Sequence, residues 1–204
     1  MTHAVFGPLG TRVLDRIYYS WFLVVRVMLL AVLFLPRFAR HRAHVLLTFV
    51  IAGIILGAIL ALLVPSLDPC YYGKLYPSDP YSGLMARLAT IHETHQLSAI
   101  EVQARLWLDH TRDMVGFGSG MSAMPSMHVS IATITALLLH RLGYALLGWL
   151  WLTSIWIGSI HLGWHYASDG IVAALVTALI WWGCGLLLVK GSGGPVSGQV
   201  ARHA

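Results

Sequence analysis

The chain has 204 residues, of which 57% are hydrophobic and only 10% charged, and it carries a formal net charge of +5. Soluble domains carry about a quarter charged residues, so this composition excludes an ordinary soluble enzyme and predicts a bilayer protein. The basic excess does not point to nucleic acid, because Lys and Arg flank apolar runs and form no stripe.

The first candidate span covers residues 18–35 and holds Arg26 near its middle, a charge that a lipid-facing helix exposes at a cost of about 2.5 to 3.5 kcal/mol. Residues 45–64 follow without a charge, enough to cross about 30 Å of hydrocarbon as a helix. Later come apolar runs at 126–139 and 144–160, which read as a hairpin turning at Arg141-Leu142-Gly143, and a last span at 171–189 closed by Lys190. Residues 191–204 read as a flexible tail. The prediction is a single all-α, polytopic membrane bundle over residues 1–204. It has about five transmembrane helices and a long outer loop containing short helices. Residues 1–10 lack the basic start and short apolar core of a cleavable signal. Cys70 and Cys184, one in a loop and one in an apolar run, make no disulfide framework.

Orientation follows from the basic residues. Arg37, Arg40 and Arg42 crowd one link, Arg141 marks the hairpin, and Lys190 and Arg202 mark the tail; the positive-inside rule places all three regions in the cytoplasm. Asp68, Asp79, Glu93, Glu101, Asp109 and Asp113 all fall in the long segment 65–123, which then lies outside. Within it, Ser98-Ala-Ile-Glu101 reads as a capping box opening a helix, with Ile100, Ala104 and Trp107 on one face. Residues 71–81 read as turns with aromatics at headgroup depth, and 116–120 as a flexible glycine strip. His92, His95 and His110 read as solvated loop residues, and Trp181 and Trp182 as interfacial anchors.

Two polar clusters break the apolar pattern on this outer face. The first is Met124-Pro-Ser-Met-His128, where Pro125-Ser126 reads as a helix opening whose free N–H groups and serine hydroxyl make an anion cradle. The second contains His161, His165 and Asp169, spaced by four. On a helix His165 and Asp169 share a face, so the carboxylate can fix one ring nitrogen and leave the other nucleophilic. The same residues also fit a helix start with a snorkelling histidine. Three ligands at fourfold spacing fit a metal-dependent membrane hydrolase, although Gly163 argues against one unbroken helix. A small transporter or binding protein with an edge histidine cluster is a further alternative.

The motifs Ser122-Ala-Met-Pro-Ser-Met-His-Val129 and His161-Leu-Gly-Trp-His-Tyr-Ala-Ser-Asp169 resemble the type-2 phosphatidate phosphatase superfamily. With Leu14-Asp-Arg-Ile-Tyr-Tyr-Ser-Trp-Phe22 and Asp68-Pro-Cys-Tyr-Tyr72, they resemble more narrowly the branch of the fungal inositol phosphorylceramide synthases and their bacterial relatives. The resemblance implies phosphoryl transfer on a lipid phosphate or phosphodiester in the bilayer, with no metal and no other cofactor. It implies a bacterial inner membrane with the site facing outward. By this likeness His165 attacks phosphorus, Asp169 orients it, His128 protonates the leaving oxygen, and Ser126 and His161 help to bind substrate. The arginine that the superfamily carries six residues before its nucleophile is replaced by Ser159, so Lys74, Arg87, Arg105 or Arg112 of the outer segment is expected to supply the cation, with Lys74 and Arg112 the chosen pair. Asp68 stands where the bacterial relatives commonly have glycine. The family usually has six spans, and the five counted here imply one N-terminal helix fewer.

Overall fold

The fold was obtained as a computed structural model that describes residues 5–112 and 124–192, the last three by backbone alone. The glycine strip at 116–120, Asp113, Ser122 and the tail beyond 192 lie outside the described residues. Helix α1 spans Pro8–Phe34, and a 3-10 turn at Pro36–Phe38 leads into α2, Ala39–Ile54. Helix α2 widens into a π turn at Ile55–Leu60 and closes with Ala61–Leu63. The segment that follows holds a 3-10 turn at Pro69–Tyr71, the single turn α3 at Tyr72–Leu75, and two longer helices, α4 (Ser82–His95) and α5 (Ser98–Thr111). Then come α6 (Met127–Arg141), α7 (Ala145–His161) and α8 (Ala167–Ser192). Among the described residues there is no strand.

The protein is an all-α membrane bundle. Pro8–Phe34, Pro36–Leu63 and Ala167–Val189 are each long and apolar enough to cross a bilayer. Helices α6 and α7, with 15 and 17 residues, are shorter, about 22 and 25 Å. Helix α6 is buried almost throughout, from Val129 to Leu138, as a helix that is apolar on every side must be. It is the central strut around which the others pack. Lipid tails are as apolar as leucine, so close van der Waals fit holds such helices together. Gly148 of α7 shows this: a Cβ there would meet the Ala136 backbone of α6 at 2.9 Å. The hairpin turn itself rests on Gly143, whose φ of 87° suits a residue without Cβ.

The ends of the helices sort into two levels. Thr11 near the start of α1 bonds His161 at the end of α7 (2.9 Å), and Met127 at the start of α6 lies over Gly57 in the π turn of α2. At the opposite end, His44 near the start of α2 bonds the Trp181 carbonyl of α8 (2.8 Å). One end therefore carries the histidine clusters and the other carries Arg37, Arg40, Arg42 and Arg141.

Several expectations are corrected. Helix α1 starts ten residues before the expected 18, because Pro8 suits a first turn and the charge of Asp15 is taken up inside the fold. Asp15 is fully buried and accepts from the Ser98 and Ala99 N–H groups, both at 2.9 Å, so it caps α5 from a distant helix. Ser98 is therefore not the cap; Leu97 holds that position and no side chain of its own turn bonds there. Helix α4 was not foreseen, and His92 and His95 lie in its last turn, where the His92 Nδ1 accepts from Leu97 N–H at 2.9 Å. Arg26 lies on the exposed side of α1.

Candidate active site

The turn between α7 and α8 carries the second histidine cluster. Helix α7 ends at His161, and Gly163 (φ 76°) reverses the chain; a side chain there would be strained. The Ser159 carbonyl accepts from both Trp164 and His165 N–H groups (2.9 and 3.2 Å), which fixes the backbone of His165. The outer segment clamps the same turn. Cys70 N–H donates to the Gly163 carbonyl (3.0 Å), the Gln103 amide donates to the Leu162 carbonyl (2.9 Å), and the Tyr71 hydroxyl donates to the Gln103 carbonyl (3.2 Å). Asp15 thus anchors α5 to α1, and α5 in turn anchors the histidine turn.

His165 lies just before α8, not within it as the fourfold spacing suggested. Asp169 sits in the first turn of α8, where its carboxylate accepts from Tyr166 N–H (2.8 Å) and the Ser168 hydroxyl (3.1 Å), the reciprocal half of a capping box. Its Oδ2 lies 4.0 Å from His165 Nδ1, an ion-pair distance too long for a hydrogen bond. A second carboxylate, Asp68, approaches the same nitrogen at 3.9 Å through Oδ1. Asp68 is buried, and that oxygen has no hydrogen-bond partner among the described residues. Burial, followed by the nearby charge of Asp169, pushes its carboxyl up from 3.8 to about 8. The same buried setting pushes the Cys70 thiol up, which leaves it a poor nucleophile.

His128 enters from the second residue of α6. Ser126 caps that helix and is fully buried, and its hydroxyl accepts from Val129 N–H at 3.5 Å. Pro125 thus precedes the cap and is not the first helical residue. The His128 ring stacks on Tyr18 (centroids 5.0 Å apart) and tilts against Trp21 (4.4 Å), with Phe22 edge-on at 6.4 Å. Gly158 of α7 makes room for Tyr18, since a Cβ would lie 3.3 Å from its ring. The His128 and His165 rings converge with centroids 6.0 Å apart. Beside His128, the Tyr18 hydroxyl and the Trp21 indole N–H are buried without a hydrogen-bond partner among the described residues.

The remaining expected residues lie elsewhere. His161 is fully buried, with its Nε2 on Thr11 and its ring edge-on to Phe6 (5.6 Å), so this face of it is occupied by α1. Lys74 places its ammonium 5.1 Å from the Trp107 ring, and Arg112 is exposed at the end of α5. Neither meets the histidine pair through a contact the structure defines. Among the described residues, no three His, Cys, Asp or Glu are grouped to hold a metal ion. Sequence reasoning missed Asp68 as a partner of His165, and it missed the aromatic wall of α1. The only sequence signal for either was that both lie in the two short segments marked by the family resemblance.

A family model of the PAP2 superfamily matches residues 8–183, most of the chain, and the chain belongs to that superfamily. No curated protein and no solved structure matches it. Membership makes it an integral membrane protein of the lipid-phosphatase type, built for phosphoryl transfer.

Proposed function

We propose that this PAP2-superfamily protein transfers the phosphoryl group of a lipid phosphate or phosphodiester through a phosphohistidine on His165, without a metal. The observation that carries the reading is the convergence of the two imidazoles, 6.0 Å apart, with carboxylates at 3.9 and 4.0 Å from one nitrogen of His165. The Asp169 carboxylate, 4.0 Å from Nδ1, favours a proton there, which makes Nε2 the nitrogen that attacks phosphorus. As the N–P bond forms, the bond from phosphorus to the leaving alkoxide breaks, and His128 gives that oxygen its proton. In the second half His128 takes a proton from the acceptor, the acceptor oxygen bonds phosphorus, and the N–P bond breaks. Water as acceptor makes a phosphatase; a polyol or lipid alcohol makes a transferase of the inositol phosphorylceramide synthase kind.

The phosphoryl oxygens would be received by the α6 N-terminus at Ser126 and by the unpartnered donors of Tyr18 and Trp21. Lys74 and Arg112 contribute positive potential from the outer segment, and His161 supports substrate binding by holding α7 to α1. The basic links at the far end of the bundle support a site that faces outward, and the likeness to bacterial members supports a bacterial inner membrane.

The test is acid-labile labelling. Purified protein incubated with a phosphorus-labelled lipid phosphate is expected to carry label on His165, and His165→Ala to carry none. His128→Ala should lower turnover by about a thousandfold, the scale of a lost general acid. Activity should survive EDTA; loss on chelation, restored by a divalent ion, would overturn the metal-free mechanism.

A further inference from the structure

At the end of the bundle opposite the histidines, α2, α6 and α8 enclose a cleft of about 430 Å³. Arg40 and His44 line one wall, Arg141 the rim, and Trp181, Trp182 and Leu186 the other side. Its polar parts are held in place. The Trp181 ring lies 4.1 Å from the His44 ring, and the Arg141 guanidinium lies 5.5 Å from the centre of the same indole. Gly185 lies against the same ring, where a Cβ would stand in ordinary contact with His44 Cε1 at 3.4 Å. Indole-stacked arginine keeps its N–H fork directed and loses little freedom on meeting an anion.

The charge around the cleft is of one sign. Arg37, Arg40, Arg42 and Arg141 stand at this end. The acidic residues among those described lie at the other: Asp15 of α1 capping α5, Asp68 and Asp169 beside His165, and Asp79, Glu93, Glu101 and Asp109 in the outer segment. Among the described residues, no carboxylate is placed to neutralise the two guanidiniums. The lower wall is different: Trp182, Leu186 and Val189 are exposed and apolar, so they face lipid. A basic rim above an apolar wall fits a molecule with an anionic head and a hydrocarbon tail.

We propose that this cleft binds the headgroup of an anionic phospholipid from the leaflet at the arginine end, with its phosphate between Arg40 and Arg141 and an acyl chain along Trp182 and Leu186. The site is separate from the histidine pair and takes no part in the chemistry there. Basic clefts between transmembrane helices suit such headgroups, because charge and tail are satisfied at once.

The experiment is lipid retention. The full chain is exchanged into detergent containing equal phosphatidylglycerol and phosphatidylcholine, and bound lipid is read by native mass spectrometry. The wild type should retain phosphatidylglycerol at least tenfold over phosphatidylcholine. Arg40→Gln with Arg141→Gln should remove that preference, while Arg40→Lys with Arg141→Lys should keep most of it. Arg105→Gln, which removes a cation at the far end, should change nothing. Equal retention of both lipids by the wild type overturns the proposal, and so does an unchanged preference in the glutamine pair. Displacement of the lipid by millimolar inorganic phosphate would overturn the lipid as ligand in favour of a free anion. Should the glutamine pair fail to elute as the wild type does, the two-lipid comparison on the wild type and the lysine pair decides.

Discussion

Replacing Asp68 by asparagine should change how stability depends on pH. In the folded protein the Asp68 carboxyl holds its proton up to about 8, whereas the unfolded chain releases it near 3.8. Between those limits the folded state binds more protons than the unfolded one, so raising the pH favours unfolding. The penalty is absent below the unfolded value, grows through the interval, and is complete above about 8. Its ceiling is on the order of 5 kcal/mol, from the free energy of moving a carboxyl over that interval. Local relaxation and water reduce it. In a chain of this length about 3 kcal/mol corresponds to a melting point lower by about 10 °C. Asparagine keeps the shape and cannot ionise. Thermal unfolding in detergent from pH 5 to pH 9 should show the smallest gap between wild type and Asp68→Asn at pH 5, with the variant increasingly the more stable as pH rises to about 8. Parallel curves over that range would refute a buried, proton-holding Asp68.

Trp21→Phe and Tyr18→Phe keep the rings against His128 and delete one unpartnered donor each. Both should lower kcat by about tenfold, the worth of one hydrogen bond to a developing anion, with little change in melting point. An unchanged kcat would show that these donors do not receive phosphoryl oxygens. Asp15→Asn places an amide where two N–H groups of α5 need acceptors, and should lower stability by about 2 kcal/mol in detergent unfolding.

What the sequence made legible is what repeats locally. Residues 45–64 and 171–189 read as spans because an uncharged run of that length has few other uses, and the histidine clusters stood out against it. The start of α1 was not legible, because Arg12, Asp15 and Arg16 look like the edge of a membrane until Asp15 is seen capping α5. Ser98 and Glu101 satisfied the local pattern of a capping box, yet a tertiary acceptor outcompeted the serine. Asp68 could not be read as a partner of His165. A single carboxylate in a loop has no period, and its position depends on the Cys70 bond to the Gly163 carbonyl. The wall of Tyr18 and Trp21 was hidden for another reason: aromatic residues near a span end read equally well as interfacial anchors.

The replacement of arginine by Ser159 has a physical sequel. A guanidinium beside His165 would have to be desolvated next to a membrane, a cost of several kcal/mol unless anions surround it in every state. Here the small Ser159 gives its hydroxyl to the Trp156 carbonyl (2.7 Å) and its own carbonyl to the histidine turn. Neutral O–H and N–H donors can be buried far more cheaply than a cation, and in a dry pocket they still attract an anion strongly. The proton on Asp68 acts in the same direction, since two ionised carboxylates at about 4 Å from one nitrogen would repel an incoming phosphate. A site built in this way gathers its positive potential from dipoles and keeps its negative charge low. It should therefore tolerate a bulky, weakly charged phosphodiester better than a doubly charged monoester. Comparing kcat/KM for the two ester types on the same lipid would decide it: a clear preference for the monoester would mean that a cation, not the aromatic donors, meets the phosphate.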